Sequence, residues 1–540
     1  MRALQLGASA VVFIAVVFTT KSLLLFLVSS VTASPLFVCM KGISTLHGVI
    51  HGKGSSHADM FSHLDPNTLS LLTNGAYSSD PMTPSAGSMH LDSSQLGKGL
   101  RYNYSSEYAV SQETLLSKVF SQALHPTRII PFFYRARNSI DADDVTITTL
   151  VTSNRFKVLK QLVDRYQGWR FIPSNLFILT YDAGPVSVTI HIPLPANTAL
   201  PELPSDSPTL VVLRDLHNLY HSSPHFAAYV DVHLALSPFS RKARTETEFG
   251  NTEGEGEGGR QFNVWRNVAR LFARSDFVMM LDVDFAVCTD WRAAVYQAIK
   301  QSNGQDTEMA NDVVSGSSST GGSGKLDLGH LTVAKMLRRG SAALVVPVFE
   351  YIVQEDGEDQ RTFPQNKEGL LRLVNAKPRI ITSFHASWAP GHNSTDYAKF
   401  YSVAPGMNEI YEVETYQSAY EPYVITSKRV PWCDERFTGY GANKAACLFE
   451  MYLSGVSFYV LSDHFLIHQS HKYEEEARRE ERKYNRKLYT DFKEEACLRY
   501  LYRFHHDGTL DTIRGRNVKE ECKKIKSVTK IALELYGITL

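Results

Sequence analysis

The chain has 540 residues and a mass of 60.6 kDa, and 43% of its residues are hydrophobic. This length and apolar content exclude an intrinsically disordered protein and a small domain held together by disulfides. The 56 basic and 56 acidic side chains cancel. The chain therefore lacks the overall positive charge of a nucleic-acid-binding protein, and we expect no nucleic acid among its partners.

The first 40 residues form an apolar segment, in which Lys21 is the only charged residue between Arg2 and Lys41. About 20 mostly apolar residues suffice to cross a bilayer as a helix. We interpret this segment as a signal anchor, as a signal peptide cleaved after Val31-Thr32-Ala33, or as a buried soluble helix, which the lack of a polar face disfavours. An anchor predicts a single-pass type II protein of the Golgi or ER membrane whose remaining residues are lumenal, and a cleaved peptide predicts a secreted protein.

The next segment, residues 41–144, is interpreted as a stem or linker. It is rich in Ser, Gly, His and Asn up to about residue 110 and shows little periodicity. Two glycosylation sequons agree with a lumenal chain, Asn103-Tyr104-Ser105 and Asn393-Ser394-Thr395. The cysteines lack the close spacing of a zinc site, and their positions leave both disulfides and buried free thiols open.

From Val145 onward, predicted strands and helices alternate. The run 145–152 is largely β-branched and predicts a buried strand, residues 156–163 have helical spacing, and 186–192 predict another strand. This alternation predicts an α/β domain over 145–505, in which helices flank a mixed, mostly parallel sheet.

Four further segments receive a structural interpretation only. Residues 506–540 are taken as a C-terminal extension. The low-complexity insertions 241–260 and 302–325 are taken as solvated loops, and the run of alternating charges at 474–483 as a solvated helix.

The chemistry centres on a pair of acids. A helix with Arg266 and Asn267 on its polar face precedes the apolar run 277–281, which is typical of a buried strand and ends in Asp282-Val283-Asp284. Burying like charges side by side costs several kcal/mol unless a cation relieves their repulsion. Carboxylates suit Mg²⁺ or Mn²⁺, and ligands bind beyond the carboxyl ends of strands in open α/β sheets. The pair Asp282 and Asp284 therefore predicts a site for a metal and a diphosphate.

Two alternatives to a metal site are considered at this pair. Asp284 would cap a following helix while Asp282 accepts backbone hydrogen bonds. A phosphohydrolase with an Asp nucleophile is disfavoured, because Ala286 stands where such enzymes have Thr or Val and the chain contains no Gly-Asp dipeptide.

A second polar cluster lies at 431–444, where Asp434 and Glu435 precede two glycines and two aromatic residues. An apolar helix and a strand follow, and then His468 and His471. A histidine at a strand end is more often structural than a metal ligand. Because the acid pair lacks a third ligand, His468 becomes a candidate for it.

Taken in order, segments within 145–505 resemble glycosyltransferase family 49. This family includes the β-1,4-glucuronyltransferase of the dystroglycan pathway and the second catalytic domain of LARGE-type xylosyl/glucuronyltransferases. The matching segments are 148–152, Asn263-Val264-Trp265-Arg266-Asn267, Leu281-Asp282-Val283-Asp284-Phe285, 344–350, 363–367, 391–397, Asp434-Glu435-Arg436-Phe437, Gly441-Ala442-Asn443-Lys444 and Leu466-Ile467-His468.

The resemblance implies a GT-A fold, which is Rossmann-related, a UDP-sugar donor, Mn²⁺ and inversion at the anomeric carbon. Mg²⁺ is the alternative metal. Arg266 and Asn267 sit where the family's helix faces the nucleotide sugar. The metal ligands that the resemblance implies are Asp282, Asp284 and His468, with His471 as the substitute for His468.

We expect a single displacement in which a carboxylate takes the proton of the acceptor hydroxyl as it attacks the anomeric carbon. Asp434 matches the family's acid and is the first choice for this base, and Glu435 is the second. Trp388, His392 and Tyr440 are candidates for acceptor binding through stacking and hydrogen bonds, with core packing as the alternative for each.

The predicted function is transfer of a sugar from a UDP-sugar to a hydroxyl of a glycan or glycoprotein acceptor, and glucuronic acid is the first choice of sugar. Ala442 stands where a bulkier aromatic residue is common in the family, which leaves the choice of sugar and acceptor open. A catalytically inactive carbohydrate-binding protein of the same fold is the alternative.

Overall fold

The computed structural model describes residues 128–168, 182–194, 203–237, 260–308, 328–471 and 475–540. The apolar segment 1–40, nearly all of the predicted stem and most of both low-complexity insertions lie outside these residues. Apart from 203–204, the described residues belong to one compact unit, which comprises 79–196 and 205–540. In the described ranges, no helix is both long and apolar enough to span a bilayer.

The strands of the described residues begin with an edge strand and end next to the predicted histidines. They are β1 (Arg128–Tyr134), β2 (Val145–Thr152), β3 (Gln167–Gly168), β4 (Asp182–Ala183), β5 (Val186–Pro193), β6 (Val230–Ser237), β7 (Phe277–Met280), β8 (Phe285–Val287), β9 (Ala342–Val346), β10 (Val348–Tyr351), β11 (Ile381–Ser383), β12 (Ile410–Glu412), β13 (Tyr423–Ser427), β14 (Ser457–Leu461) and β15 (Leu466–His468).

The α-helices lie between these strands and after the last of them. They are α1 (Phe156–Arg165), α2 (Pro208–His221), α3 (Pro224–Tyr229), α4 (Phe262–Phe272), α5 (Trp291–Glu308), α6 (Leu328–Arg339), α7 (Lys367–Val374), α8 (Tyr397–Ser402), α9 (Asn443–Leu453), α10 (Glu475–His506), α11 (Arg516–Cys522) and α12 (Lys526–Tyr536).

Nine of the described strands form a mixed sheet in the order β1-β6-β5-β2-β7-β13-β9-β14-β12. Strands β6, β5, β2, β7, β9 and β14 run in one direction, and β1, β13 and β12 run in the other. Helices α2 and α4 pack against β5, and α6 packs against β9. The predicted α/β class, with helices flanking a mixed sheet, is confirmed. The sheet is less parallel than expected, because four of its eight strand pairings are antiparallel.

Strand β2 shows why a run of β-branched residues becomes a central strand. Its side chains are buried on both faces, as in sheets that are covered by helices on each side. The hydroxyls of Thr146 and Ser275 are hydrogen-bonded to each other, and the Thr148 hydroxyl donates to the carbonyl of Met279 at 3.1 Å. Each of these buried hydroxyls therefore has a hydrogen-bond partner.

The sheet begins before residue 145 and the hydrophobic core continues past residue 505. Strand β1 lies in the interval interpreted as a stem, and it pairs antiparallel with β6 at the edge of the sheet. In the interval interpreted as an extension, α11 and α12 bury Val518, Cys522 and Val528 in the same cluster as residues of α10. Both intervals therefore contribute to the folded domain.

A smaller sheet positions the predicted histidines. Its strands are β11-β10-β15-β8, and β8 comes directly after the Asp282-Val283-Asp284 turn that follows β7. In this sheet β15 pairs antiparallel with β8, so that His468 lies opposite Phe285. The acid pair thus connects the two sheets, and a strand 184 residues away in sequence lies beside it.

Candidate active site

The acid pair forms a tight turn between the two sheets. The Leu281 amide donates to the Thr148 carbonyl at 3.1 Å, which extends the pairing of β7 with β2, and the Phe285 amide donates to the Asp282 carbonyl at 3.2 Å. The segment after Asp284 is β8, so the alternative in which Asp284 caps a helix is wrong. The turn lies at the carboxyl end of β7, where open α/β sheets bind their ligands.

Asp284 lies between two histidines. Its Oδ2 is 2.9 Å from Nε2 of His471 and 3.7 Å from Nε2 of His468. The ligand atoms of these residues all lie within 4.8 Å of one another. Burial raises the pKa of Asp284, but its hydrogen bonds to His468 and His471 outweigh this and hold the pKa well below the usual range.

The two imidazoles are held by different neighbours. Aromatic contacts fix the ring of His468, whose centroid is 5.0 Å from those of Phe285 and Phe384. Arg155 approaches Nδ1 of His471 with a guanidinium nitrogen at 3.0 Å. The two ring nitrogens therefore face Asp284 in an arrangement that packing and hydrogen bonding maintain.

This donor set fits a divalent transition-metal ion. One carboxylate and two imidazoles give mixed oxygen and nitrogen ligands, which Mn²⁺ accepts, whereas Mg²⁺ prefers oxygen ligands and water. The set differs from the predicted one, because His471 lies closer to Asp284 than His468 does. Of the predicted ligands, only Asp282 is absent from the cluster.

Asp282 instead lies among cationic groups and a hydroxyl. Its Oδ1 accepts a hydrogen bond from Arg266 at 3.2 Å, and its Oδ2 accepts from Tyr423 at 2.8 Å and from Lys444 at 3.4 Å. Burial raises the pKa of Asp282, but Lys444 and Arg266 outweigh this effect, and the net pKa is lowered. Asp282 is therefore ionised at neutral pH and bridges the acid turn to two positive charges.

The polar face of α4 holds the second polar cluster in place. Nη1 of Arg266 donates to Oδ1 of Asn443 at 2.6 Å. The side-chain amide of Asn267 donates to the Cys433 carbonyl at 2.8 Å and to Oε1 of Glu435 at 2.9 Å. That Arg266 and Asn267 face the nucleotide sugar stays a prediction. The observed hydrogen bonds show that both residues fix the segments that surround the acid pair.

Asp434 is engaged by an arginine two residues away. Both of its carboxylate oxygens accept hydrogen bonds from Arg436, at 3.0 Å and 2.7 Å, and Arg436 also donates to Glu495 at 2.7 Å. Asp434 is 2% exposed. A buried carboxylate in a bidentate pair with a guanidinium is a poor proton acceptor, so the geometry disfavours Asp434 as the catalytic base.

Glu421 is an acid in the same region that sequence reasoning did not single out. It precedes β13, and its carboxylate accepts a hydrogen bond from the Ala445 amide in the first turn of α9. Burial raises the pKa of Glu421 above its ordinary value, and the charges of Lys444 and Arg266 oppose this only in part. A raised pKa makes this carboxylate a stronger proton acceptor than an ordinary glutamate.

The three residues predicted to bind the acceptor differ in environment. Trp388 is 50% exposed, as a stacking platform requires, whereas His392 is 5% exposed. The ring of Tyr440 lies between two guanidinium groups, 4.6 Å from Cζ of Arg260 and 4.1 Å from Cζ of Arg478. The helix α10, whose beginning was interpreted as merely solvated, thus contacts the Tyr440 loop.

A disulfide between Cys433 and Cys447 joins the Asp434 segment to α9, and a second one joins Cys497 to Cys522. Cys288 is a buried free thiol. The sequence left both states open, and both occur. The first disulfide and the α4 hydrogen bonds hold the Asp434 segment from two sides.

Comparison with known proteins identifies the family. The model of a family described as "Glycosyl-transferase for dystroglycan" matches residues 144–501, which include every site residue described above. The chain belongs to this glycosyltransferase family. The predicted recognition is therefore confirmed.

Curated relatives within the family match shorter stretches. The xylosyl- and glucuronyltransferase LARGE2 of Rattus norvegicus is 31% identical over 210 residues, 39% of this chain and 24% of the relative. LARGE2 of Mus musculus is 37% identical over 134 residues, 25% of this chain and 18% of the relative. LARGE1 of Homo sapiens is 31% identical over 129 residues, 24% of this chain and 16% of the relative. The matches thus span less than a quarter of the relatives' own length.

Within this family member, sequence reasoning missed two site residues, Glu421 and Lys444. Glu421 lies in no recognisable motif. Lys444 stood inside a segment quoted for the resemblance and received no role. A signal was present for it, because Lys444 is a cation in the first turn of a helix that is otherwise almost entirely apolar.

Proposed function

We propose that this protein is an inverting glycosyltransferase with a GT-A fold that transfers glucuronic acid from UDP-glucuronic acid to a hydroxyl of a glycan acceptor, with Mn²⁺ as its metal. Family membership supports the transfer of a sugar. The similar proteins from rat, mouse and human are named xylosyl- and glucuronyltransferases, which supports the choice of sugar.

One observation carries the proposal. Two acids follow the carboxyl end of the central strand β7. Asp284 lies 2.9 Å from His471 and 3.7 Å from His468, and Asp282 contacts the cationic groups of Arg266 and Lys444. This combination supports a site for a metal and a diphosphate at the edge of the mixed sheet, as the GT-A assignment requires.

In the proposed reaction, Asp284, His468 and His471 would hold the Mn²⁺, and Asp282 lies in the same turn as Asp284. The bound ion supplies positive charge that neutralises the departing UDP phosphates. Arg266 and Lys444 add two positive charges on the opposite side of Asp282. These charges favour a donor whose sugar is negatively charged over a donor whose sugar is neutral.

The acceptor hydroxyl must lose its proton as it attacks the anomeric carbon. The sequence predicts Asp434 as the first choice for the base that takes this proton and Glu435 as the second. Because Arg436 occupies both oxygens of Asp434 and Asn267 holds Glu435, we assign the base to Glu421, whose raised pKa makes it a stronger proton acceptor than an ordinary glutamate. Trp388 and Tyr440 remain the proposed acceptor-binding residues, whereas His392, which the sequence also proposed for the acceptor, is buried and is assigned to the donor side.

The proposed location is the lumen of the Golgi or the ER, either through an N-terminal anchor of type II topology or after cleavage of a signal peptide. The two disulfides support an oxidising compartment, because such bonds are rare in the cytosol. Glycan acceptors occur in the same compartment.

The test is a screen of UDP-sugars for Mn²⁺-dependent release of UDP, with and without glycan acceptors. We expect turnover of UDP-glucuronic acid that is lost in Asp284→Asn. The alternative function is a catalytically inactive carbohydrate-binding protein, which would release no UDP and bind no nucleotide while still binding glycans. A requirement for a GDP-linked or lipid-linked donor would contradict the proposal.

A further inference from the structure

Lys444 lies where a lysine is unfavourable. It is 5% exposed, and it is the second residue of α9, so that its ammonium lies at the positive end of the helix dipole. Lysine is among the residues that are rarely buried, and a cation at a helix N-terminus is destabilising. A residue that carries both costs needs a compensating role.

The observed contacts compensate these costs only in part. The Lys444 ammonium lies 3.6 Å from the centroid of the Tyr423 ring, which gives a cation–π contact. Within the described ranges, its one hydrogen-bond acceptor is Oδ2 of Asp282, at the long distance of 3.4 Å. Tyr423 donates to that same oxygen at 2.8 Å, and Arg266 occupies the other oxygen.

An ammonium has three N–H donors, so most of the hydrogen-bonding capacity of Lys444 is unused by the described residues. Glu421 is close enough for its pKa to be lowered by the charge of Lys444, but it forms no hydrogen bond with Lys444 in that part of the chain. A buried donor without acceptors is costly and requires an explanation. An anionic ligand would supply the missing acceptors.

A second unsatisfied group lies within range of the charge of Lys444. Nδ1 of His392 is buried and has no hydrogen-bond partner among the described residues. Burial is the main cause that holds the pKa of His392 well below its ordinary value, and the charge of Lys444 adds to it. The imidazole is therefore neutral and has a hydrogen-bonding position open for a hydroxyl group.

We propose that Lys444 binds the carboxylate of the donor's sugar and thereby selects a uronic acid over the corresponding neutral hexose, with His392 bonding a hydroxyl of the same sugar. This rests on the proposed function and adds to it the residue that recognises the sugar. The carboxylate is assigned to the donor and not to the acceptor, because Lys444 contacts Asp282 of the acid pair that is proposed to lie at the diphosphate.

The chemistry explains the selectivity. A carboxylate accepts two N–H donors of an ammonium and neutralises its charge, and charge-assisted hydrogen bonds of this kind are about twice as strong as neutral ones. The primary alcohol of a neutral hexose leaves the charge of Lys444 uncompensated. The preference for a uronic acid therefore has two sources: the hydrogen bonds that its carboxylate forms with Lys444, and the cost of leaving Lys444 uncompensated when a neutral hexose binds.

The test compares UDP-glucuronic acid with UDP-glucose, which differ only in the carboxylate, on wild type and Lys444→Met. We expect the kcat/KM for UDP-glucuronic acid to fall about 10- to 100-fold and that for UDP-glucose to change little, so that the preference collapses. Lys444→Arg keeps the charge and should retain part of the preference. Calorimetric binding of the two nucleotide sugars should show the same loss without turnover.

Lys367→Met is the matched control. Lys367 is also a buried lysine over an aromatic ring, with its ammonium 4.5 Å from the Phe400 centroid, but it donates to the Val403 carbonyl and contacts no site residue. We expect this variant to keep the donor preference. Thermal unfolding of each variant shows whether it is folded.

Three results would overturn the proposal. Equal losses for both donors would mean that Lys444 acts on the diphosphate or on folding. A wild type that prefers a neutral sugar would exclude a uronate site. A loss that occurs only with an acidic acceptor, and not with a neutral one, would assign the carboxylate to the acceptor. If wild type neither binds nor turns over any UDP-sugar, the proposed function itself fails.

Discussion

At the scale of single residues, the partners of a carboxylate decide which reaction it can support. Asp434 and Glu421 are both acids near the same helix, α9. Arg436 donates hydrogen bonds to both carboxylate oxygens of Asp434, whereas burial raises the pKa of Glu421. The sequence shows both residues as acids, and only the arrangement of their neighbours separates their roles.

The first prediction concerns Glu421→Gln. We expect kcat to fall about 10²- to 10⁴-fold, the usual contribution of a general base, with little change in the KM for the donor. Rate measurements from pH 5 to 8 should show that wild-type activity declines on acidification at a higher pH than an ordinary glutamate would give, because the base must be unprotonated. The variant should lose this acidic decline.

The stability of the protein gives an independent test of the raised pKa of Glu421. The folded state binds a proton at Glu421 more tightly than the unfolded state does, so the contribution of this group to stability is lost as the pH rises through its folded pKa. Glu421→Gln should therefore raise the midpoint of thermal unfolding at neutral pH. If Glu421→Gln keeps full activity while a folded Asp434→Asn has none, the sequence-based choice of Asp434 is the better one.

The second prediction concerns the histidines beside Asp284. His471→Asn and His468→Asn should each weaken Mn²⁺ binding about 10- to 100-fold, measured by calorimetry without any sugar. Removal of metal with a chelator should abolish turnover. Mn²⁺ should restore it better than Mg²⁺, because imidazole nitrogens suit Mn²⁺ better.

The exposed His506→Asn is the control for this prediction, since its only acid contact in the described chain is with the neighbouring Asp507. If both histidine variants keep their Mn²⁺ affinity and Asp282→Asn loses it, the metal ligand is Asp282 and the assignment to the histidines is wrong.

At the scale of elements, a disulfide and a helix face hold the site together. The Cys433–Cys447 bond joins the segment before Asp434 to α9, which carries Lys444, and α4 donates hydrogen bonds to the same segment. The loop at Gly441 also approaches α10 closely: a Cβ at this position would lie 3.0 Å from Cα of Arg482, and its φ of 93° favours glycine. The site thus depends on contacts between elements far apart in sequence.

The third prediction compares the two disulfides. Cys433→Ala with Cys447→Ala should lower stability by about 3 kcal/mol, as expected for a closed loop of this size, and should also lower kcat, because α9 is no longer tied to the Asp434 segment. Cys497→Ala with Cys522→Ala is the matched control. It should lower the unfolding midpoint similarly and leave the kcat of the folded enzyme near that of wild type. Equal kcat values in the two variants would refute a positioning role.

Much of the mixed sheet was readable from the sequence. Strand β2 is a largely β-branched run and β5 alternates apolar with polar residues, each over eight residues. The acid pair stood out because it ends an apolar run, 277–281. Strand β1 was missed although it is mostly apolar, because Pro131 interrupts its pattern and its partner β6 lies about 100 residues later. The strands β8 and β15 have only three residues each, which is too short for any period to show.

The site was predictable only where a motif was local. Asp282 and Asp284 followed from their position, but the link to His468 came from the family resemblance, since no spacing rule connects residues in different sheets. The arginine that occupies Asp434 and the burial of Glu421 depend on packing. Sequence patterns report which residues are chemically able to act, and tertiary contacts decide which of them do.

At the scale of the whole molecule, the ends of the described chain belong to the folded domain. Ile130 and Phe133 of β1 are buried at the sheet edge. At the other end, Val528 and Ala532 of α12 lie in the same cluster as residues of α9, which carries Lys444. The C-terminal helices therefore share a core with α9, and β1 completes the edge of the mixed sheet.

The last prediction follows from these contacts. A chain of residues 145–505, the boundaries suggested by the sequence, would lack β1, α11, α12 and the partner of Cys497. It would expose the edge of β6 and the buried side chains of the core cluster, and we expect it to be secreted poorly and to unfold without a cooperative transition. A chain of residues 126–540 should be secreted and should unfold cooperatively at the midpoint of the full-length protein. Two further chains test the ends one at a time: 126–505 lacks α11 and α12, and 145–540 lacks β1. We expect each of them to be less stable than 126–540. Cooperative unfolding of 145–505 at the full-length midpoint would show that both ends are dispensable and that the sequence-based boundaries are correct.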